Sequence, residues 1–409
     1  MRAAVADSDY ALAADPDAAD VVIVNTCSFI REATEESVAT VLEFVTEWLP
    51  RGSGRSVVVA GCMPSRYGGE LSAEIPEVAA FLPVADEDEI LAVLERVTGL
   101  PSGRRVGQAP LPLADGPSAY VRISDGCHRA CAYCTIPSIR GPYVSTPVSQ
   151  ILREVETLVA TGAREVVLIG QDITAYGRDV SSSATLADVV DAVASVPGVD
   201  WLRLMYVQPD GVTDELLAAI AAHPNVCHYL DIPLQHASRP VLRAMRRLGD
   251  ADAFLVLLSK IRAVLPDVVL RTTLIAGFPG ETREDVAVLH AFLRAARFDV
   301  VGVFPYSPED GTPAAALPDQ IPHRTRMARA QRLRDIADEI GFERAASRIG
   351  QTLQVLVEGV EEDGVIVGRW RGQAPDVDGV VLLDRGKPGT LVEARIVDSL
   401  GYDLEGEVL

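Results

Sequence analysis

Apolar positions along the chain fall into three successive patterns. Asp20 to Asn25 (D-V-V-I-V-N) and Ser56 to Gly61 (S-V-V-V-A-G) are short, nearly continuous apolar runs. Strands buried on both faces require such runs. Between them, Glu35 to Trp48 spaces its apolar residues as an amphipathic helix does. The strand–helix–strand alternation predicts a right-handed α/β layer. Each strand ends in a cysteine, Cys27 and Cys62. Sites in open α/β sheets form outside the carboxyl ends of strands. The two thiols are therefore expected side by side, as ligands or as small buried hydrophobes.

Leu100 to Ser118 is rich in Pro and Gly and reads as a linker. Beyond it, strand-like runs alternate with helical stretches: Ala119–Ile123, Glu165–Ile169, Leu202–Val207, His228–Leu234, Val269–Ala276 and Val300–Pro305. Six such units predict a partial (β/α)6 barrel with its chemistry at the C-terminal strand ends. Arg324 to Ala346 is a long charged helix. The third pattern begins near Gln351, where five short strand-like runs are separated by Gly, Pro and acidic turns. A small β-barrel suits that spacing. The expected fold is α/β and multidomain: an N-terminal α/β domain over 1–100, a linker over 101–118, the partial barrel over 119–345 and the small β-barrel over 346–409.

Composition fits two or three soluble domains. The 409 residues are 48% hydrophobic, enough for sizeable cores. Six cysteines without a paired pattern argue against a disulfide scaffold and for a reducing cytosol. Asp7 and Asp9 stand where a signal peptide needs an apolar run, and no segment approaches the ~20 apolar residues of a membrane span. A cytoplasmic protein without membrane contact is expected. The net charge of -21 weighs against direct nucleic-acid binding and toward a basic partner. Lys260 and Lys387 are the only lysines among 37 basic residues, so part of that charge balance reflects a compositional skew.

The densest chemistry lies at Cys127, Cys131 and Cys134, spaced C-x3-C-x2-C on the loop after the first barrel strand. Three thiolates can hold three corners of a cubane iron–sulfur cluster and leave one iron open. Structural zinc is the alternative, with four ligands and His128 as a fourth candidate inside the loop. Ligand type alone does not separate the two.

The triplet, with Tyr133 just before its last cysteine, resembles the radical S-adenosylmethionine superfamily, whose open iron chelates S-adenosylmethionine. The wider chain resembles the methylthiotransferases. Within them it is similar to the branch that modifies an aspartate of ribosomal protein S-twelve. The residues behind this are Cys134–Gly141 (C-T-I-P-S-I-R-G), Gly170–Gly177 (G-Q-D-I-T-A-Y-G), Leu230–Ser238 (L-D-I-P-L-Q-H-A-S), and Tyr206 with Pro209–Thr213. Ala374–Gly379 (A-P-D-V-D-G) leans the same way. Relatives that modify tRNA typically read L-P-V-Q-S-G-S near Leu230–Ser238. Ile275–Thr282 (I-A-G-F-P-G-E-T) is shared by the wider family and does not discriminate.

The resemblance implies an N-terminal cluster domain, a radical S-adenosylmethionine barrel and a C-terminal TRAM barrel. It implies two 4Fe–4S clusters, one on Cys127, Cys131 and Cys134 and an auxiliary one on Cys27 and Cys62. S-adenosylmethionine would be cleaved to a radical that removes hydrogen from the aspartate β-carbon, and a second S-adenosylmethionine would supply the methyl group. Acid–base chemistry acts on acidic protons and is a poor route to that carbon, so no side chain is assigned as a catalytic acid or base. His128 and His236 read as ordinary loop histidines. Tyr133, Gln235, Gly277 and Pro279 are candidate S-adenosylmethionine contacts, with an ordinary turn as the alternative for Gly277–Gly280. Cys227 reads as buried packing.

A flavodoxin- or ferredoxin-type protein is the implied reductant. Family members carry a further N-terminal cysteine after an opening strand that has no counterpart here. The N-terminal domain is thus expected truncated, its auxiliary cluster one ligand short. From Ala346 onward twelve acidic residues face six basic ones. Such a barrel would repel phosphates and could attract the lysine- and arginine-rich S-twelve protein. The competing readings are a tRNA methylthiotransferase and a catalytically incomplete ribosomal-protein-binding fragment.

Overall fold

The computed structural model describes residues 1–103, 114, 116–180, 184–362 and 364–409. Much of the expected linker, 104–113 and 115, lies outside the described residues. The chain forms two compact units. One comprises Met1–Leu113, Gly126–Pro142 and Ser307–Ala315, and the other Ala114–Asp125, Tyr143–Tyr306 and Ala316–Leu409.

The first unit holds a parallel three-stranded sheet in the order β1 (Val21–Thr26), β2 (Ser56–Gly61), β3 (Ala80–Pro83). The central strand is apolar at every turn because both its faces are covered. Val58 and Ala60 pack with Ile90, Leu94 and Val5, and Val57 and Val59 pack with Val41, Trp48 and Met63. The helix expected from Glu35 begins at Arg31, runs to Glu43 and continues through a wider π-type turn to Trp48. Residues Arg2–Ala6 are helical.

In the second unit six strands form one parallel sheet. They are β4 (Ser118–Arg122), β7 (Glu165–Ile169), β8 (Trp201–Leu204), β9 (Val226–Asp231), β10 (Val269–Ala276) and β11 (Val300–Pro305), in spatial order β11-β10-β9-β8-β7-β4. A two-stranded hairpin, β5 (Ser124–Asp125) with β6 (Val144–Ser145), stands apart. The sheet strands neighbour one another in chain order, as right-handed β–helix–β connections produce. The intervening helices start where their sequences cap them. Thr185 with Asp188 and Thr282 with Asp285 form capping boxes.

Two strands end earlier than their apolar runs suggest. β8 stops at Leu204 because Tyr206 turns to φ +62°, and β9 stops at Asp231 ahead of Pro233 and Gln235 at φ +70°. Cys227, expected before its strand, is the second residue of β9 and is fully buried. The charged helix runs from His323 to Ala346.

The five tail strands are β12 (Thr352–Val360), β13 (Ile366–Trp370), β14 (Val381–Leu383), β15 (Leu391–Leu400) and β16 (Asp403–Val408). They close into a barrel in the order β12-β13-β14-β16-β15, which leaves no free edge. Leu356 and Ala374 of this region share a buried cluster with Val167, Trp201, Cys227, Tyr229 and Val269 of the sheet. Trp201 and Val269 are the first residues of their strands, and Cys227 is the second of β9. The barrel therefore packs toward the strand starts, and the strand C-termini, where such folds place their chemistry, lie at the other end.

Candidate metal centre and strand-end site

Cys127, Cys131 and Cys134 lie half-buried on the loop Gly126–Pro142 of the first unit. The backbone closes this loop. Cys127 N–H donates to the Gly141 carbonyl at 3.3 Å, and Cys134 N–H donates to the Cys131 carbonyl at 3.2 Å. Gly126 sits at φ +70°, and a Cβ there would come 2.1 Å from the Pro142 carbonyl oxygen. Only glycine lets the loop fold back so tightly. The Arg129 N–H reaches the Cys127 sulfur at 3.4 Å, a donor suited to a thiolate. Among the described residues no three His, Cys, Asp or Glu side chains gather as a single metal ion requires. A cubane presents separate irons to separate thiolates, so three spaced thiolates on one closed loop fit that group. His128 is exposed, and Tyr133 is half-buried beside the last cysteine.

Cys27 and Cys62 also come together. Parallel pairing sets Thr26 opposite Gly61, and each cysteine follows immediately. Gly61 makes the junction possible: it lies at φ +99°, and a Cβ would fall 2.6 Å from the Thr26 carbonyl and 2.7 Å from Asn25 Oδ1. Thr26 Oγ1 donates to the Ala60 carbonyl at 2.7 Å and accepts the Met63 N–H at 3.3 Å. Cys62 begins the helix Cys62–Glu74, an electropositive end that favours a thiolate. Burial pushes the Cys62 thiol up, the Arg140 guanidinium opposes this, and the neighbouring Cys27 adds to it. The pair supplies two thiolates, too few to complete a cluster by themselves.

Arg140, the last residue of the short helix Ile136–Arg140, thus links the cysteine loop to the Cys62 thiol. Thr135 Oγ1 donates to the Phe29 carbonyl at 3.2 Å, close to Cys27 in sequence. A second clamp comes from Ser307–Ala315. Glu309, 4% exposed, accepts Arg66 Nη1 at 2.9 Å and the Arg31 N–H at 2.8 Å, and Ala314 N–H donates to the Ala132 carbonyl at 2.8 Å. All five candidate ligands belong to this one unit. Sequence reasoning missed Arg140, Arg66 and Glu309; their only local signal was lying beside the cysteine motifs or just past a strand end.

Gln235, Gly277 and Pro279 stand at strand C-termini of the second unit. Gln235 bridges to β10, donating its N–H to the Thr273 carbonyl at 2.8 Å and accepting the Ile275 N–H at 2.7 Å. Gly277 is at φ +77°, and its N–H donates to Glu281 Oε2 at 2.8 Å. Glu281, 3% exposed, also pairs with Arg329 at 2.7 Å. The Gly277 amide is therefore engaged in a turn, one of the two alternatives for this stretch. His236 is fully buried: Nδ1 accepts the Ser238 N–H at 2.9 Å, and Nε2 lies 3.4 Å from Glu281 Oε2. It braces the turn.

Comparison with known proteins matches three family models. These are the Radical SAM superfamily over residues 121–293, the TRAM domain over 349–409, and a family described as uncharacterized protein family UPF0004 over 1–83. The ribosomal protein uS12 methylthiotransferase RimO of Geobacter sulfurreducens is 41% identical over 423 residues, covering 100% of this chain and 94% of the relative. That of Pelobacter propionicus is 42% identical with the same coverage, and that of Symbiobacterium thermophilum is 43% identical, covering 98% of this chain and 86% of the relative. Among solved structures, the radical S-adenosylmethionine methyltransferase TsrM from Kitasatospora setae is similar at TM-score 0.52 and 15% identity, covering 82% of this chain and 67% of that one; this likeness concerns the fold. With full-length relatives at 41–42% identity, the chain belongs to the ribosomal protein uS12 methylthiotransferase (RimO) family and is a radical S-adenosylmethionine methylthiotransferase.

Proposed function

We propose that the chain places a methylthio group on the β-carbon of an aspartate in ribosomal protein uS12, the S-twelve protein anticipated above. The observation that carries this reading is full-length similarity to uS12 methylthiotransferases, together with a complete three-cysteine loop. Cys127, Cys131 and Cys134 would hold one 4Fe–4S cluster with an iron left for S-adenosylmethionine, and Cys27 and Cys62 would contribute to a second. When bound, these groups supply a radical able to take hydrogen from unactivated carbon and a sulfur to put in its place.

The chain's own residues orient and insulate. The Gly126 fold-back and the Cys127–Gly141 hydrogen bond fix the loop that carries the thiolates. Arg140 brings positive charge to Cys62 and favours its ligating, deprotonated form. Tyr133, Gln235, Gly277 and Pro279 would contact S-adenosylmethionine, Gly277 through its carbonyl face because its amide is engaged. The division into cluster domain, barrel and TRAM barrel, a cytoplasmic setting, and a flavodoxin- or ferredoxin-type reductant belong to the same reading. No helix among the described residues is long and apolar enough to cross a membrane. Exposed Glu361, Glu362, Glu393, Asp398 and Glu407 on the C-terminal barrel suit a lysine- and arginine-rich partner.

The test uses a bacterial strain that lacks its own uS12 methylthiotransferase. Expressing this chain should restore the methylthio mass on the uS12 aspartate peptide and leave tRNA unchanged. An unmodified peptide beside a gained tRNA methylthio base would overturn the reading.

A further inference from the structure

Six non-glycine residues among those described adopt positive φ: Tyr206, Gln235, Arg246, Arg297, Asp319 and Asp376. Four have ordinary reasons. Arg246 and Arg297 end helices, where a left-handed residue is common, and aspartate tolerates that conformation in turns. Tyr206 and Gln235 have neither excuse. Both lie just past the C-termini of adjacent parallel strands, β8 and β9. A bulky side chain in the left-handed region is strained, and such strain persists where surrounding structure over-determines it, above all at functional sites.

The surroundings of Tyr206 do over-determine it. Its N–H donates to Asp231 Oδ2 at 3.3 Å, and the next amide, Val207 N–H, donates to the Asp231 carbonyl at 2.9 Å. Asp231 is 1% exposed and paired with Arg271 at 2.9 Å. Arg271 in turn lies 3.5 Å from Asp378, which also accepts the Tyr229 hydroxyl at 2.8 Å. Downstream, Gln208 accepts Arg247 Nη2 at 2.9 Å. The flanking Met205 and Val207 are buried, yet Tyr206 is 44% exposed. Part of the ring surface is therefore open, while its hydroxyl is partly desolvated beside Asp231 and Arg271, the same pair that holds the strained backbone.

We infer that Tyr206 is a substrate-contacting, specificity-determining residue, its ring fixed at the strand-end face to receive a polypeptide loop, with Asp231 as its positioning residue. The inference rests on the proposed function and deepens it. A half-exposed aromatic whose hydroxyl end is anchored suits a macromolecular surface more than an enclosed small ligand. Tyrosine also supplies large contact area at low entropic cost, which is why it dominates protein-binding hot spots. The net charge of -21 favours a basic polypeptide over nucleic acid.

The test measures steady-state methylthiolation of purified uS12 by the anaerobic holoenzyme with Tyr206→Gly and Tyr206→Phe, alongside thermal melting. Glycine relieves the left-handed strain while loosening the unfolded chain, so the melting midpoint should hold or rise. KM for uS12 should rise about tenfold with kcat retained, and Tyr206→Phe should restore most of it by keeping the ring. An unchanged KM in the glycine variant, or a midpoint that falls in step with the KM change, would overturn the inference while leaving the proposed function intact. A wild-type holoenzyme that modifies tRNA and ignores uS12 would overturn both.

Discussion

Glu165 has no exposed surface, and two guanidiniums keep it ionised. Arg203 Nε lies 2.7 Å from one carboxylate oxygen and Arg369 Nη2 lies 2.5 Å from the other, with Ser118 Oγ donating to the same oxygen at 2.8 Å. Burial alone would push this carboxyl up; Arg203 and Arg369 together bring it below its ordinary value. A depressed folded value means the stabilisation is present above the unfolded carboxylate range and is lost as pH falls through the folded one. Replacing Arg369 by Ala leaves a buried charge under-compensated and should cost about 3–5 kcal/mol, read as a lowered urea midpoint at neutral pH. Because Glu165 then loses much of its support, the deficit should shrink as the solution is acidified. A midpoint within experimental scatter of wild type would show that the pair is not buried as described. None of this was legible in the sequence. Arg369 sits in a strand run like any outward-facing residue, and its partner is 204 positions away. At 1% exposed, Arg369 adds no positive charge to the barrel's surface. Glu358 and Asp378 are likewise engaged internally.

Strands and helices were far more legible, because periodicity is a property of the chain itself. The runs Ser56–Gly61, Glu165–Ile169, Val269–Ala276 and Val300–Pro305 are strands with the expected bounds. What the runs could not show is the joint between elements. Gly61 reads as one small residue at the end of an apolar strand, yet the junction of β2 with the Cys62 helix depends on it. Adding a methyl group there forces it into the Thr26 carbonyl and the Asn25 side chain. Gly61→Ala should therefore destabilise the first unit by about 1–3 kcal/mol and displace Cys62. The measurements are thermal melting and iron content per chain after anaerobic reconstitution. Both should fall, with the loss of iron confined to the auxiliary site; unchanged iron would mean that Cys62 is not a ligand.

Across the whole molecule, the striping of sequence motifs conceals how one unit is assembled. Three separate segments build the part that holds all five candidate thiolates, and Ser307–Ala315 gives no hint in its S-P-E-D-G-T-P-A-A run that it belongs there. Its anchor is the Glu309–Arg66 pair, between residues 243 positions apart. The architecture brings the cysteine loop, the Cys27–Cys62 pair and this clamp into one body. On the proposed reading the whole chain methylthiolates uS12. This can be read from the mass of the aspartate-bearing uS12 peptide after anaerobic incubation of the purified, reconstituted chain with uS12, S-adenosylmethionine, a reductant and sulfide. The wild-type chain should leave one methylthio group on the aspartate, and Cys131→Ala none. An unmodified peptide from a wild-type chain loaded with both clusters, or modification that survives the loss of Cys131, would contradict it.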